Sequence, residues 1–286
     1  MVALFDTVDA IRRQVRTWKV SGKRVGLVPT MGALHAGHIS LVDAARRSCD
    51  VVVTTIFVNP TQFGPTEDFG KYPRTLDADR AMLDTAGCDA VFVPMPEEMY
   101  PPGFSTYVAP PACARMLEGE FRPGHFRGVC SVVLKLFLAV PADVAVFGQK
   151  DFQQALVIRK MVEDLNLPIE IEVQPTMREF DGLAMSSRNR YLSPIERNVA
   201  LSLSRALQIA ELRRKEPDVT VDQLESAMHA ELRDAGVRRI DYATIRSPET
   251  LEPATDPRAA SVGLMACFVG STRLIDNRVW PSLRAV

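Results

Sequence analysis

A doubly wound parallel α/β sheet followed by a smaller α+β domain is the architecture that this 286-residue sequence predicts. Two observations predict it. Up to about residue 175, short continuous apolar runs alternate with stretches of helical period, the signature of parallel strands buried on both faces by crossover helices. Past about residue 177 the alternation stops, and two helical patterns are followed by three strand-like ones.

The elements follow in order. Val8, Ile11, Val15 and Trp18 recur at helical spacing after Asp6-Thr7, a capping pair, and Ser21-Gly22 ends the pattern, so a helix is expected before the first strand. Strands are then expected at Val25 to Val28, Val51 to Val58, Ala90 to Val93, Val144 to Phe147 and Ile169 to Val173. Helices start near Gly37, run from about Thr75 to Ala86, end near Val140 after a Pro-rich stretch, and run from Asp151 to Leu165. The second domain holds helices at about Pro194 to Arg214 and Val221 to Ala235, and strands at Arg239 to Ile245, Ser261 to Val269 and Thr272 to Ile275. The first domain is thus Rossmann-like, and a ligand belongs at the carboxyl ends of its strands.

Composition narrows the function. Thirty-four Lys and Arg against 35 Asp and Glu leave a net charge of -1, so no whole-chain field gathers nucleic acid or an anionic membrane. The longest apolar runs fall far below the roughly 20 residues of a membrane helix, and Asp6 interrupts the start where a secretion signal would need an apolar core. Five scattered cysteines without a CxxC pair fit reduced thiols better than a disulfide framework or a zinc site. A cytoplasmic protein acting on small molecules is expected.

Four segments carry chemistry. The first strand runs into Pro29-Thr30-Met31-Gly32-Ala33-Leu34-His35-Ala36-Gly37-His38, where backbone N–H groups and a helix dipole attract phosphate. His35 and His38 lie one helical turn apart, so both imidazoles can face charge developing on a phosphate, with Gly37 allowing close approach. Chance would place HxGH in a chain of this composition about 0.003 times. Structural histidines, or half of a metal site, are the alternatives. The second segment, Gly182-Leu183-Ala184-Met185-Ser186-Ser187-Arg188-Asn189, offers hydroxyls and a guanidinium to a triphosphate, or is a linker ahead of the next helix. In the third, Phe147 to Gln154, Lys150 follows a strand end as a phosphate ligand would, and Gln154 lies four residues on, on the same helical face. The fourth, Asn59-Pro60-Thr61-Gln62-Phe63, places amides at another strand end; taken singly, Gln62 and Gln154 are ordinary surface residues.

Together, PTMGALHAGH, IFVNPTQF, YPRTLDAD, RPGHFRGV, FGQKDFQQ and DGLAMSSRNRYLS resemble the pantothenate synthetase (pantoate–beta-alanine ligase) family, which shares HxGH with the wider nucleotidyltransferase superfamily. The likeness is close from Val25 to Ser193 and looser through Asp241-Tyr242 and Ser271 to Asn277. The resemblance implies ATP-dependent joining of pantoate to β-alanine through a pantoyl adenylate, releasing AMP and pyrophosphate, with Mg²⁺ accompanying ATP and no protein ligand assigned to the metal. It implies a homodimer; the change of pattern gives a first domain, 1–177, expected to bind ATP and pantoate, and a smaller one, 178–286, expected to act as a lid because the Ser186-Ser187-Arg188 segment lies at the domain change. By position, Met31, Gly32, Ala33, Leu34, His35, Ala36, Gly37 and His38 would line the ATP site, His38 as the proton donor and His35 as its partner. Gly148, Gln149, Lys150, Asp151, Met177, Met185, Ser186, Ser187 and Arg188 would complete it, with Lys150, Ser187 and Arg188 on the phosphates. Gln149 stands where many relatives carry glutamate, and Met177 where a smaller apolar residue is common. Gln62 and Gln154 would hold pantoate, Gln62 would border β-alanine, and Asn59, Tyr72, Asp79 and His125 would support them. The alternative is a nucleotidyltransferase acting on another small acceptor, which would release pyrophosphate without needing an amine.

Overall fold

A computed structural model describes residues 2–65, 67 and 69–284 of the chain. Met1, Thr66, Asp68, Ala285 and Val286 lie outside the described residues. Two compact units divide the chain: Met1–Gln149 with Gln153–Pro175, and Lys150–Phe152 with Thr176–Val286.

The first unit is a six-stranded sheet in the order β1-β4-β3-β2-β5-β6, with every pairing parallel. Its strands are β1 (Ala3–Phe5), β2 (Val25–Thr30), β3 (Val51–Ile56), β4 (Ala90–Phe92), β5 (Val144–Gly148) and β6 (Glu170–Gln174). Its longer helices are α1 (Val8–Val20), α2 (Ala36–Ser48), α3 (Leu76–Thr85), α6 (His125–Ala139) and α7 (Phe152–Asp164), with one-turn helices α4 (Pro96–Met99) and α5 (Glu118–Phe121) in the Pro-rich stretch. Val25, Leu27, Val28, Val52 and Val53 are fully buried, because helices cover both sheet faces. The chain passes from β2 through β3 to β4 in one direction, then returns to place β5 on the other side of β2. That reversal makes the carboxyl ends of β2 and β5 the topological switch point, where open α/β sheets bind their ligands.

Most bounds shift by one or two residues, and three differences from the sequence reading matter here. A strand, β1, precedes the first helix: it adds to the sheet edge through Ala3↔Ala90, Leu4↔Val91 and Phe5↔Phe92. Three residues are too few to show a period, so nothing in the pattern marks it. Strand β3 ends at Ile56 rather than Val58. The last strand, β9, runs over Thr272–Trp280 and does not stop at Ile275. Asp276 and Asn277 break its apolar pattern, yet both are buried, each about 2% exposed.

In the second unit, β7 (Arg239–Arg246), β8 (Ser261–Val269) and β9 form an antiparallel sheet in that order, accompanied by α8 (Pro194–Arg213) and α9 (Val221–Asp234). Leu203, Leu207, Leu224, Met228, Met265 and Trp280 share one core. The β8–β9 turn is tight, Val269 pairing with Thr272, and Gly270 has φ +57°. A Cβ there would meet only the mobile end of the Glu196 side chain, so it is the left-handed backbone that favours glycine. Just past α8, Arg214 is buried and donates to three carbonyls, Pro257 (2.9 Å), Pro281 (3.0 Å) and Ala259 (2.7 Å), tying the helix end to the chain flanking the sheet.

Candidate active site

The turn after β2 is shaped by a buried carboxylate. Asp79, on the first turn of α3 and 2% exposed, accepts the N–H of Ala33 at 2.9 Å and that of Leu34 at 2.9 Å, one on each oxygen. The Thr75 hydroxyl donates to it as well, at 3.1 Å. These bonds hold consecutive left-handed residues, Gly32 at φ +81° and Ala33 at φ +51°. A non-glycine residue in that region costs about 1–2 kcal/mol, which charge-assisted bonds of about 1.5–3 kcal/mol each offset. A Cβ on Gly32 would lie 3.0 Å from Ile56 Cγ2 and 3.1 Å from Asp79 Oδ2.

The turn delivers His35 to the N-cap of α2 and His38 to its third residue. Gly37 N–H donates to His35 Nδ1 at 3.1 Å, and His35 N–H donates to His38 Nδ1 at 3.3 Å. The two rings stand 4.1 Å apart, so the expected pairing of the imidazoles is present. A backbone N–H can only donate, so each Nδ1 is an acceptor and each neutral ring carries its hydrogen on Nε2. The cap therefore selects one tautomer for both histidines.

The sequence points to the amides of this turn as phosphate donors, but the N–H groups of Gly32, Ala33, Leu34, His35, Gly37 and His38 go to acceptors within the unit: Thr30 Oγ1, Asp79, the imidazoles and the His35 carbonyl.

Beside it lies the turn after β3. Asn59, 1% exposed, accepts on Oδ1 from the Tyr100 hydroxyl at 2.8 Å and from the Thr61 hydroxyl at 3.0 Å. Its amide donates to Gln62 Oε1 at 3.1 Å and to the Gly128 carbonyl at 3.3 Å. Gln62 in turn points Nε2 at Met31 Sδ, 3.1 Å away, bringing the Asn59–Phe63 segment against the HxGH segment. The Gln62 backbone is held separately: His125 Nδ1 lies 2.8 Å from its carbonyl and Nε2 lies 3.1 Å from Arg122 Nη1. Because the guanidinium only donates, Nε2 accepts and Nδ1–H donates to Gln62. Arg122 is fixed by a two-pronged pair with Glu67, at 2.7 and 2.9 Å.

Burial, reinforced by the Arg122 charge, pushes the His125 imidazole down to about 4. In the unfolded chain it titrates near 6.5, so as pH falls the unfolded state takes the proton first. The stability that neutral His125 contributes is complete above about pH 6.5 and is lost as pH falls towards about 4, on the order of 3 kcal/mol in all. Denaturant midpoints between pH 7.5 and 4.5 should accordingly fall more steeply for the unaltered chain than for His125→Asn. Equal slopes would show that the site does not hold a neutral histidine.

The remaining expected residues divide between the units. Gly148 ends β5, and Gln154, half-buried, lies on α7 in the first unit; its neighbour Gln153 is buried and ties Glu118, Cys113 and Met116 together. Lys150 falls in a 3-10 turn, Gln149–Asp151, ahead of α7 and is grouped with the second unit. The helical spacing expected to align Lys150 with Gln154 therefore does not apply, because the helix starts only at Phe152. Lys150 Nζ lies 3.6 Å from Asp151 Oδ2.

In the second unit, Met177 and Met185 are joined by a backbone bond of 2.9 Å and Arg178 bridges to Ala184, so the segment is a closed loop and not a loose linker. Arg178 pairs with the buried Asp276 through two bonds of 2.8 and 2.9 Å. Ser186 accepts from Arg188 N–H at 3.3 Å and caps the 3-10 turn Ser187–Tyr191. Asn189 donates to Glu179 and to the Ala184 carbonyl, closing the loop from the other side. Tyr100 and the Glu67–Arg122 pair escape the sequence reading, since each acts on a residue some 40 to 60 positions away.

A model of the pantoate-beta-alanine ligase family matches residues 3–279. The pantothenate synthetase of Moorella thermoacetica is 52% identical over 276 residues, 96% of this chain and 98% of that protein. That of Stenotrophomonas maltophilia is 51% identical over 97% of this chain and 99% of its own length. Among solved structures, pantothenate synthetase from Thermus thermophilus superposes with a TM-score of 0.91 at 46% identity, covering 97% of this chain and 99% of that one. Pantoate-beta-alanine ligase from Francisella tularensis, solved with a β,γ-ATP compound and β-alanine, superposes with a TM-score of 0.80 at 31% identity, covering 98% of each chain. With the HxGH cap, the Asn59–Gln62 turn and a parallel sheet whose order reverses at β2, this chain belongs to the pantoate-beta-alanine ligase family.

Proposed function

We propose that the site drives two successive steps: adenylation of pantoate by ATP, then capture of the pantoyl adenylate by β-alanine. The enzyme is an ATP-dependent carbon–nitrogen ligase joining pantoate to β-alanine. The observation that carries the mechanistic reading is the reciprocal histidine cap at the switch point, because it presents two preset Nε2–H donors.

The chemistry requires such donors. A carboxylate cannot lose oxide to an amine, so one of its oxygens must first attack the α-phosphorus of ATP, with pyrophosphate leaving. The amine then attacks the acyl carbon, and AMP leaves with that carboxylate oxygen. His35 and His38 would donate to the α-phosphate as charge builds, and preset donors of this kind contribute about 3–4 kcal/mol each to the transition state. Lys150, Ser187 and Arg188 would hold the remaining phosphates, and Met31 to His38, Gly148 to Asp151, Met177 and Met185 to Arg188 would line the nucleotide. Gln62, with Asn59 fixing its amide, would grip pantoate together with Gln154, and would border β-alanine.

Among the described residues no three His, Cys, Asp or Glu side chains gather to hold a metal ion. Mg²⁺ prefers oxygen ligands and keeps its waters, so it fits this site as a partner of the triphosphate oxygens, whose charge it would lower. No helix among the described residues is long and apolar enough to cross a membrane. The reading carries a cytoplasmic protein, as the composition suggests, and a homodimer, as the family resemblance implies.

Pantoate labelled with ¹⁸O in its carboxylate tests the order of bond making. One labelled oxygen should emerge in AMP and none in pyrophosphate. Unlabelled AMP would mean that the acid is not activated on the α-phosphorus.

A further inference from the structure

We propose that Asn277 is a positioning residue for Lys150, and that the Asp276-Asn277 pair on β9 holds Lys150 and the loop leading to Arg188 to one strand. The inference rests on Lys150 being a phosphate ligand in the reading above. By its place in the sequence Lys150 should belong to the parallel sheet, since only Gln149 separates it from β5. Yet Lys150–Phe152 groups with the second unit, leaving the chain before and after it in the first.

One side chain of the second unit bonds directly to this turn. Asn277 donates from Nδ2 to the Lys150 carbonyl at 2.8 Å across 127 positions of sequence. Asn277 is 2% exposed, and its own backbone is fixed on both sides. Its N–H donates to Asp276 Oδ1 at 2.7 Å, and its carbonyl accepts from Arg178 Nη2 at 3.2 Å. Arg178 also donates to the Gly182 carbonyl at 3.1 Å, inside the loop that leads to Ser187 and Arg188. Successive residues of a strand face opposite sides, so one dipeptide can serve two separate segments. Asp276 anchors Arg178, and Asn277 anchors the Lys150 turn.

A bond to the carbonyl fixes the peptide plane after Lys150 and with it the direction in which the side chain leaves the turn. Misplacing a charge by about 1 Å can cost on the order of 100-fold in rate. Loss of the Asn277 amide should therefore lower turnover while leaving pantoate binding, which is assigned to other residues, unchanged.

The test is a double-mutant cycle on pantoate-dependent pyrophosphate release, with Asn277→Ala, Lys150→Ala and both together. Asn277→Ala is expected to lower kcat at least tenfold with KM for pantoate unchanged, and to have no further effect once Lys150 is alanine. Asn277→Asp, which keeps the shape but removes the donor, should repeat the loss. Equal fold-losses in the two backgrounds, or full turnover in Asn277→Ala, would overturn the positioning role while leaving the ligase reading intact. Full turnover in Lys150→Ala would instead remove Lys150 from the phosphates, and this inference with it. If the Asn277 variants do not fold, native-state hydrogen exchange on the unaltered chain decides. Amides of Lys150–Phe152 that open together with β8 and β9 support the role, and amides that open with β5 and α7 overturn it.

Discussion

His38→Ala should lower pantoate-dependent pyrophosphate release at least a hundredfold in a chain that remains folded. Two effects are combined in that substitution and they differ in size. Removing a preset donor to the α-phosphate costs about 3–4 kcal/mol in the transition state, which is 100-fold or more in rate. Removing Nδ1 also strips the acceptor of the His35 N–H, a capping loss of about 1 kcal/mol in stability. His38→Asn separates the two, since its amide oxygen can still accept from His35 N–H but no imidazole remains to face the phosphate. Its melting temperature should approach that of the unaltered chain while its rate stays low. A near-normal rate in either variant would take His38 off the catalytic list.

Asp79→Asn should be nearly as damaging to activity, by a different route. The carboxylate accepts from Ala33 and Leu34, one N–H on each oxygen, whereas an amide has one acceptor and would turn its NH₂ against the other donor. A buried N–H left unpaired costs about 1–3 kcal/mol, and the strained pair Gly32-Ala33 loses the contacts that hold it. We expect a loss of about 3 kcal/mol in denaturant unfolding, and turnover lowered well beyond that of a distant variant of equal stability, because the same turn delivers both histidines. Unchanged turnover in a destabilised Asp79→Asn chain would show that the turn's geometry is not needed for chemistry.

What is legible in the sequence, and what is not, follows from distance along the chain. The strands of the parallel sheet are legible because burial on both faces leaves continuous apolar runs such as Val51-Val52-Val53. HxGH is legible because its parts are local, three residues apart on one turn. β1 is not, being a three-residue edge strand, and β9 reads too short because its polar pair finds partners only in the folded chain. The largest gap concerns residues that act at long range. Asp79 shapes a turn 46 positions earlier, and Asn277 holds a residue 127 positions earlier, so no local pattern announces either role. The partners of the amides around HxGH are hidden in the sequence for a related reason. A helix N-terminus exposes N–H groups, but here that of Gly37 goes to the His35 imidazole and that of His38 to the His35 carbonyl, while Ala33 and Leu34, ahead of the helix, donate to the Asp79 carboxylate.

The most direct test of the two-step reading is pyrophosphate release from ATP and Mg²⁺, first with pantoate alone and then with β-alanine added, following pantothenate in the same tube. We expect a stoichiometric burst with pantoate, and steady turnover with one pantothenate formed per pyrophosphate only after β-alanine is present. Release that ignores pantoate, or that cycles steadily without the amine, would contradict adenylation of pantoate followed by capture at this site.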